Sequence, residues 1–166
     1  IECPGLIFKG DFEYITGLVN GNNIGVSILP WILGGGQQAN VVQVDGAGGY
    51  DYGQHGPFED ANPLTGSGVL QHYLDSASGS NSFYQPFTLT VPTTITYSGA
   101  FSTRENTSGN GSISIRSGAG LTGTVLDGTG LQLVNAFGNS QTTPWQRYTR
   151  TITLPAGTYS YVVYMD

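Results

Sequence analysis

Short segments in which apolar residues alternate with hydroxyl-bearing residues run through most of this chain. In one of them Ile95, Tyr97 and Phe101 share one parity, and Thr96 and Ser98 share the other. Successive side chains of a strand point to opposite faces, so this alternation predicts one face toward a core and one toward water. No stretch of ten residues has the 3.6-residue period of a helix, and turn-forming residues separate the segments. The chain is therefore predicted to be all-β.

The predicted strands are about Leu6–Tyr14, 39–45, 69–75, 83–91, 94–104, 112–116, 131–137, 147–154 and 158–166. Residues 16–26 and 46–68 are predicted loops, and residues 155–157 a tight connection between the last two strands. About nine strands with long loops at one end predict a jelly-roll β-sandwich of two antiparallel sheets. At 166 residues, the chain is predicted to form a single domain over 1–166.

Alternation also assigns residues of two further strands, 83–91 and 112–116, to faces. Phe87, Leu89 and Val91 are expected to point inward, as are Ile113 and Ile115. Ser112, Ser114 and Arg116 are expected to point outward. One face of each strand is thus apolar and the other rich in hydroxyls, which is typical of antiparallel sheets with one solvated surface.

The amino-acid composition limits the kinds of partner that this chain is expected to bind. Five basic residues against eleven acidic ones give a net charge of −6, and Lys9 is the single lysine. A nucleic-acid-binding surface needs clustered basic residues, so none is expected. No stretch approaches the length of a membrane helix, so no membrane insertion is expected. A composition poor in lysine and rich in Gly, Ser, Thr and Asn, with a pI near 4.5, favours an extracellular protein. Ile1 is not an initiator methionine, which indicates a processed piece of a larger parent protein.

The long loop 46–68 carries the clearest ligand-binding pattern. Tyr50 and Tyr52 are flat aromatic rings, and Asp51, Gln54 and His55 are planar polar groups beside them. Sugar rings present an apolar C–H face and an edge of hydroxyls, which such a set can contact together. The alternative is that the tyrosine rings fold back over the core.

Two further residues are candidates for ligand contact. Arg104 lies at the end of a predicted strand, on its polar face. There it either hydrogen-bonds to a ligand or forms an ion pair with Glu105 or with an acidic residue of the long loop. Trp31 is a large ring near a loop–strand boundary, where it is either a platform for a sugar or a core residue. Trp145 is expected in the core.

Asp11 and Glu13 stand two residues apart on a predicted strand, so both carboxylates point to one face. Such a pair repels itself unless a cation lies between, and calcium prefers oxygen ligands of this kind. The alternative is a solvated strand end. Two histidines and one distant cysteine, Cys3, make a zinc site improbable.

Three stretches together carry a family resemblance: KGDFE (9–13) followed by Trp31, the segment 68–89, and the closing segment 144–166. This order resembles the galactose-binding-domain-like β-sandwiches, which include carbohydrate-binding modules of bacterial glycanases and domains of secreted surface proteins. The resemblance implies a non-catalytic extracellular domain that binds polysaccharide or cell-surface glycans. It also implies a structural calcium near the first and last strands, with Asp166 joining Asp11 and Glu13.

Two other functions compete with glycan binding. A structural subunit of a surface fibre or layer is compatible with the hydroxyl-rich surface and implies self-assembly. A jelly-roll polysaccharide lyase is the enzymatic alternative. Such lyases use Arg, Gln, His and Tyr side chains, and Gln71, His72, Tyr73 and Arg104 weakly resemble that set. No nucleophile elbow, phosphate loop or dinucleotide fingerprint is present, so the chain is not expected to be an enzyme. The sequons at Asn106 and Asn110 fall in one predicted turn.

Overall fold

A computed structural model describes residue 6 and residues 21–24, 30–36, 39–43, 68–72, 81–101, 109–134 and 146–165. Within these residues the chain is all-β. The strands are β1 (Gly21–Ile24), β2 (Ile32–Gly36), β3 (Ala39–Gln43), β4 (Gly68–His72), β5 (Asn81–Leu89), β6 (Thr93–Phe101), β7 (Gly109–Ser117), β8 (Val125–Gly128), β9 (Gln132–Val134), β10 (Gln146–Leu154) and β11 (Gly157–Met165). No helix in the described ranges has the length and apolar character needed to cross a membrane.

The strands pair antiparallel in three sheets. The largest has six strands in the order β2-β5-β11-β7-β8, with β9 also paired to β7. A two-stranded sheet is formed by β6 and β10, and a three-stranded sheet by β1, β3 and β4. The six-stranded sheet and the β6–β10 sheet pack against each other around one buried cluster. The prediction of an all-β sandwich is confirmed.

Four of these strands form one folded ribbon. β5 pairs with β11 from Asn81↔Met165 to Leu89↔Gly157. β6 pairs with β10 over nine positions beginning at Thr93↔Leu154. Both connections, 90–92 and 155–156, lie at the same end, and each passes from one sheet to the other. The ribbon is therefore folded over on itself. At the bend, the three residues of connection 90–92 lie beside the two residues of connection 155–156.

The inward faces of this ribbon supply most of the core. Alternate residues of β5, β6 and β7 are buried, with Phe83 and Ile113 fully enclosed, and Tyr159 and Tyr161 of β11 join them. Fully burying a large apolar side chain contributes about 1.5–3 kcal/mol, so this cluster is the main source of stability in the described part. The core residues include Phe83, Phe87, Leu89, Ile95, Tyr97, Phe101, Ile113, Ile115, Leu154, Tyr159 and Tyr161.

The predicted faces are confirmed for the described residues of β6 and for Ile113 and Ile115, but one assignment is wrong. Val91 was expected to point inward, and it is 60% exposed. β5 ends at Leu89, so Val91 lies in the connection between the sheets, where the period-two rule no longer applies.

Two predicted connections contain strands. Residues 16–26 were expected to form a loop, yet Gly21–Ile24 pairs with β3 as β1. Asn110 was expected in a turn, and it lies within β7, opposite Leu133 of β9. Gly- and Asn-rich segments have low strand propensity, so pairing with a neighbouring strand decides their conformation here.

The outer face of the six-stranded sheet is partly covered, which the alternation did not predict. Ser160 and Val162 lie on that face of β11, and both are buried. The segment 118–123 after β7 contacts Ser160, whose Oγ donates a 2.8 Å hydrogen bond to Gly118 O. Leu121 of this segment reaches Gly34 on β2, where a Cβ would stand 2.1 Å from the leucine Cδ1. A larger residue at position 34 would have to displace the Leu121 side chain.

Candidate functional site

Most of the predicted site residues lie outside the described part of the chain. This holds for the loop set, for Arg104 and for the three expected calcium ligands. These residues are Asp11, Glu13, Tyr50, Asp51, Tyr52, Gln54, His55, Arg104 and Asp166. Their roles therefore remain predictions.

Trp31 is the one predicted ligand residue that is described, and it belongs to the core. Its side chain is 3% exposed. The indole lies edge-on to the ring of Tyr161, with centroids 5.8 Å apart and planes at 63°. A ring enclosed in this way offers no face to a sugar, so the expectation of a binding platform is corrected in favour of the core alternative.

Trp31 begins a row of aromatic rings that crosses the sandwich. Tyr161 of β11 packs on Trp31 and also meets Tyr97 of β6 edge-on, with centroids 5.9 Å apart. The Tyr161 hydroxyl donates a 2.8 Å hydrogen bond to the carbonyl of Ser98. Edge-to-face pairs of this kind add to the energy of burial. The row joins the two sheets at the centre of the core.

The row ends in a charged group that also joins the two sheets. We call Tyr97, Asp127 and Arg150 the inter-sheet cluster. The Tyr97 hydroxyl donates to Asp127 Oδ2 at 2.7 Å, and Arg150 Nε donates to the same oxygen at 3.2 Å. Arg150 Nη2 contacts Asp127 Oδ1, which completes a two-point ion pair. Tyr97 and Arg150 are direct cross-strand neighbours in the β6–β10 sheet, and Asp127 comes from β8 of the other sheet.

The cluster shifts the ionisation of its members. Hydrogen bonds from Arg150 hold the pKa of Asp127 below its ordinary value, against the opposing effect of partial burial. Burial raises the pKa of Tyr97, and its hydrogen bond to the Asp127 carboxylate raises it further. Burial likewise raises the pKa of Tyr161. Asp127 and Arg150 are thus charged, and both tyrosines neutral, over the physiological range.

The side chains of this cluster satisfy one another, so we interpret it as a structural latch. Asp127 is 14% exposed and Arg150 44% exposed, and the guanidinium fork is engaged by the carboxylate. Perturbed groups often mark functional sites, but ion-pair networks that join elements perturb pKa values equally. Sequence reasoning did not single out Asp127 or Arg150. One signal was available: Arg150 has the same parity as the inward-facing Ile152 and Leu154, and an inward arginine needs an acidic partner.

A second arrangement lies on the outer surface of the β6–β10 sheet. Three cross-strand pairs place hydroxyl side chains directly opposite one another, and all six residues are exposed. Thr94 and Thr153 are hydrogen-bonded through their hydroxyls at 2.7 Å, and Thr96 and Thr151 at 3.0 Å. We call this surface the hydroxyl face; its residues are Thr94, Thr96, Ser98, Thr149, Thr151 and Thr153.

The hydroxyl face is uncharged along its length. Arg147, one position further along β10 on the same side, is exposed and marks its end. The sequence alternation predicted the polar character of this surface, and the paired register of β6 and β10 brings the two polar rows together. Each threonine presents a methyl group beside its hydroxyl, so the face offers apolar and polar contacts at the same spacing.

No metal-binding group forms within the described ranges, where no three His, Cys, Asp or Glu side chains come together. The expected calcium ligands lie outside those ranges, so calcium stays a prediction. Comparison of the chain with protein-family models, with curated proteins and with solved structures finds no match. The chain is thus assigned by its own architecture, as an all-β sandwich of antiparallel sheets.

Proposed function

We propose that this chain is a non-catalytic, extracellular domain that binds carbohydrate or mediates adhesion, of the galactose-binding-like type. The observation that carries the proposal is the hydroxyl face. A neutral, hydroxylated ligand needs hydrogen-bonding groups and small apolar contacts, without the net charge that would attract nucleic acid. Paired threonines on a sheet supply both.

The hydrogen bonding of this face favours a ligand that donates. A hydroxyl has one donor and two acceptor positions, and each threonine pair uses one donor and one acceptor internally. Three acceptor positions and one donor then remain for each of the pairs Thr94–Thr153 and Thr96–Thr151. The internal bonds also fix the orientation of the side chains, which lowers the entropy cost of binding. Sugar hydroxyls are suitable donors.

The predicted residues outside the described ranges extend this proposal. Tyr50 and Tyr52 would stack on sugar rings, and Arg104, Gln54 and His55 would hydrogen-bond to hydroxyls. Asp11, Glu13 and Asp166 would hold a structural calcium at the strand ends. Melting in the presence and absence of EDTA tests the calcium, because an unchanged melting temperature would exclude a structural ion.

A glycan array followed by calorimetry tests the main proposal. We expect the double variant Thr96→Val and Thr151→Val to bind its best glycan about tenfold more weakly, since one or two hydrogen bonds are lost. The double variant Thr88→Val and Thr158→Val is the matched control. It removes a threonine pair, bonded at 3.2 Å, from the outer face of the six-stranded sheet. Equal losses in both variants, or release of unsaturated sugar products, would contradict the proposal; unsaturated products would indicate the lyase.

A structural subunit of a surface fibre or layer is the second candidate. Val125 and Leu126 on β8, the end strand of the six-stranded sheet, are 50% and 42% exposed, and Leu131 is 59% exposed. Apolar residues on an end strand favour contact with another chain. Sedimentation over a range of concentrations tests this: ordered assembly that Leu126→Lys abolishes would support the subunit over the binding domain.

A further inference from the structure

Arg116 is a half-buried cation whose charge has no partner in the described structure. It lies on β7, on the outer face of the six-stranded sheet, opposite Ser160 of β11 and Val125 of β8. Its Nη1 atom donates a 2.6 Å hydrogen bond to the carbonyl of Leu121. Its Nε atom is buried and has no hydrogen-bond partner.

The other arginines of the described part show how unusual this is. Arg150 is engaged by Asp127 at two points, and Arg147 is exposed to solvent. Arg116 is partly withdrawn from water, and the hydrogen bond that its side chain makes within the described residues goes to a neutral carbonyl. Withdrawing a charge from water costs free energy unless an opposite charge compensates it. Among the described residues, nothing compensates the charge of Arg116.

The described neighbours of Arg116 on this face are polar and uncharged. Ser112 and Ser114 precede it on the same face of β7, and both are half-buried. The hydroxyl of Ser160, its cross-strand neighbour on β11, donates to Gly118 O. A guanidinium with unused N–H groups beside serine hydroxyls has the chemistry that recognises a carboxylate.

We propose that Arg116 forms a second binding site, on the outer face of the six-stranded sheet and opposite the hydroxyl face, which binds the carboxylate of an acidic sugar such as a uronic acid. This inference rests on the proposed glycan binding for the nature of the ligand. The guanidinium would donate two parallel hydrogen bonds to the carboxylate, and Ser114 would donate a third. The ligand would supply the negative charge that the described residues around Arg116 lack.

The alternative is that Arg116 only fastens the segment 118–123 through Leu121 O. The two roles predict opposite effects of Arg116→Met on stability. A fastening role predicts a lower melting temperature. An unpaired cation in a ligand site predicts an unchanged or higher melting temperature, because replacing an uncompensated charge with an apolar side chain of similar length removes its desolvation cost.

Calorimetry at low salt with a glucuronic-acid oligosaccharide and its carboxyl-reduced, neutral form tests the proposal. We expect the wild-type protein to bind the acidic form at least about tenfold more tightly, the size expected for one charge-assisted pair. Arg116→Met should abolish the preference, and Arg116→Lys should weaken it because the planar fork is lost. Arg147→Met, the control at an exposed arginine, should retain it.

Two results would overturn this inference. They are equal binding of both sugars by the wild-type protein, and a preference that survives in Arg116→Met; in the second case a lower melting temperature of the variant would identify the fastening role instead. Equal binding would leave the proposed glycan-binding function standing. Binding of neither sugar, together with an empty glycan array, would refute both.

Discussion

The hydroxyl of Tyr97 donates a 2.7 Å hydrogen bond to Oδ2 of Asp127, and this bond joins the two sheets of the sandwich. The tyrosine comes from the β6–β10 sheet and the aspartate from β8, the end strand of the six-stranded sheet. Because Arg150 binds the same carboxylate, a short end strand is fastened to the opposite sheet at three points. Contacts with the facing sheet therefore help to set the position of β8.

Removal of the Tyr97 hydroxyl should measure its part in this latch. Tyr97→Phe keeps the ring contact with Tyr161 and deletes one hydrogen bond to a charged acceptor. We expect the free energy of unfolding in urea to fall by about 1.5–3 kcal/mol. Tyr148→Phe is the control, because its half-buried hydroxyl donates to the neutral Gln146 Oε1 at 3.1 Å and should contribute less. A larger loss in the control would contradict the assignment.

Low pH should weaken the inter-sheet cluster by protonating the Asp127 carboxylate. The pKa of this carboxyl in the folded protein lies below its ordinary value of 3.8, chiefly because of hydrogen bonds from Arg150. A lowered folded-state pKa contributes stability that is present above 3.8 and is lost as pH falls through the folded-state value. Unfolding measured from neutral pH to about pH 2 should show a shallower loss below pH 4 in Asp127→Asn than in the wild type. Parallel curves would exclude this role of the carboxylate.

Alkali should act through two buried tyrosines. Burial raises the pKa of Tyr161 and, together with the bond to Asp127, that of Tyr97, from the ordinary 10.0. A raised folded-state pKa contributes stability that is present below 10.0 and is lost as pH rises beyond it. Of the ten tyrosines, at least two should form tyrosinate only as the protein unfolds. Ultraviolet titration followed beside circular dichroism measures this. Full ionisation of all ten while the fold persists would contradict it.

Two glycines in the segment that follows β7 should respond differently to alanine. A Cβ at Gly123 would stand 1.6 Å from the Ser117 carbonyl oxygen, whereas a Cβ at Gly120 would meet nothing within 4 Å. Gly123→Ala must displace backbone, so we expect a loss of about 1–3 kcal/mol in urea unfolding. Gly120→Ala should be neutral or slightly stabilising, since alanine restricts the unfolded chain. Similar losses in both variants would show that the segment does not pack as described.

Residue alternation predicted the strands of the folded ribbon and the burial of Ile95, Tyr97 and Phe101. It succeeds there because each strand has one face on a core and one in water. It does not predict the burial of Ser160 and Val162, which lie on the face away from the main core; the Ser160 hydroxyl bonds to Gly118 in the segment that follows β7. The alternation of neighbouring residues carries no information about contacts with a segment that is distant in the sequence.

The inter-sheet cluster shows the same limit for side chains. Tyr97 was predicted to point inward, but nothing near it in sequence indicates Asp127 or Arg150 as partners. The three residues meet because β8 and β10 belong to different sheets that face each other. The hydroxyl face was easier to anticipate, because it needs only the period of each strand and the pairing of two strands. Trp31, by contrast, has the same local sequence whether its ring is exposed or enclosed.

The folded ribbon also determines how this chain can fold. Phe101 and Gln146 are paired at one end of the ribbon, so the residues between them form a loop that must close before β6 and β10 can meet. Once Thr93 and Leu154 are paired, the two short connections hold β5 and β11 side by side. The pairing of β5 with β11 then costs little further chain entropy. Such non-local pairing is typical of slow folders, in milliseconds to seconds. We therefore expect the first pairing of β6 with β10 to limit the folding rate. The pairing of β5 with β11 should follow it rapidly.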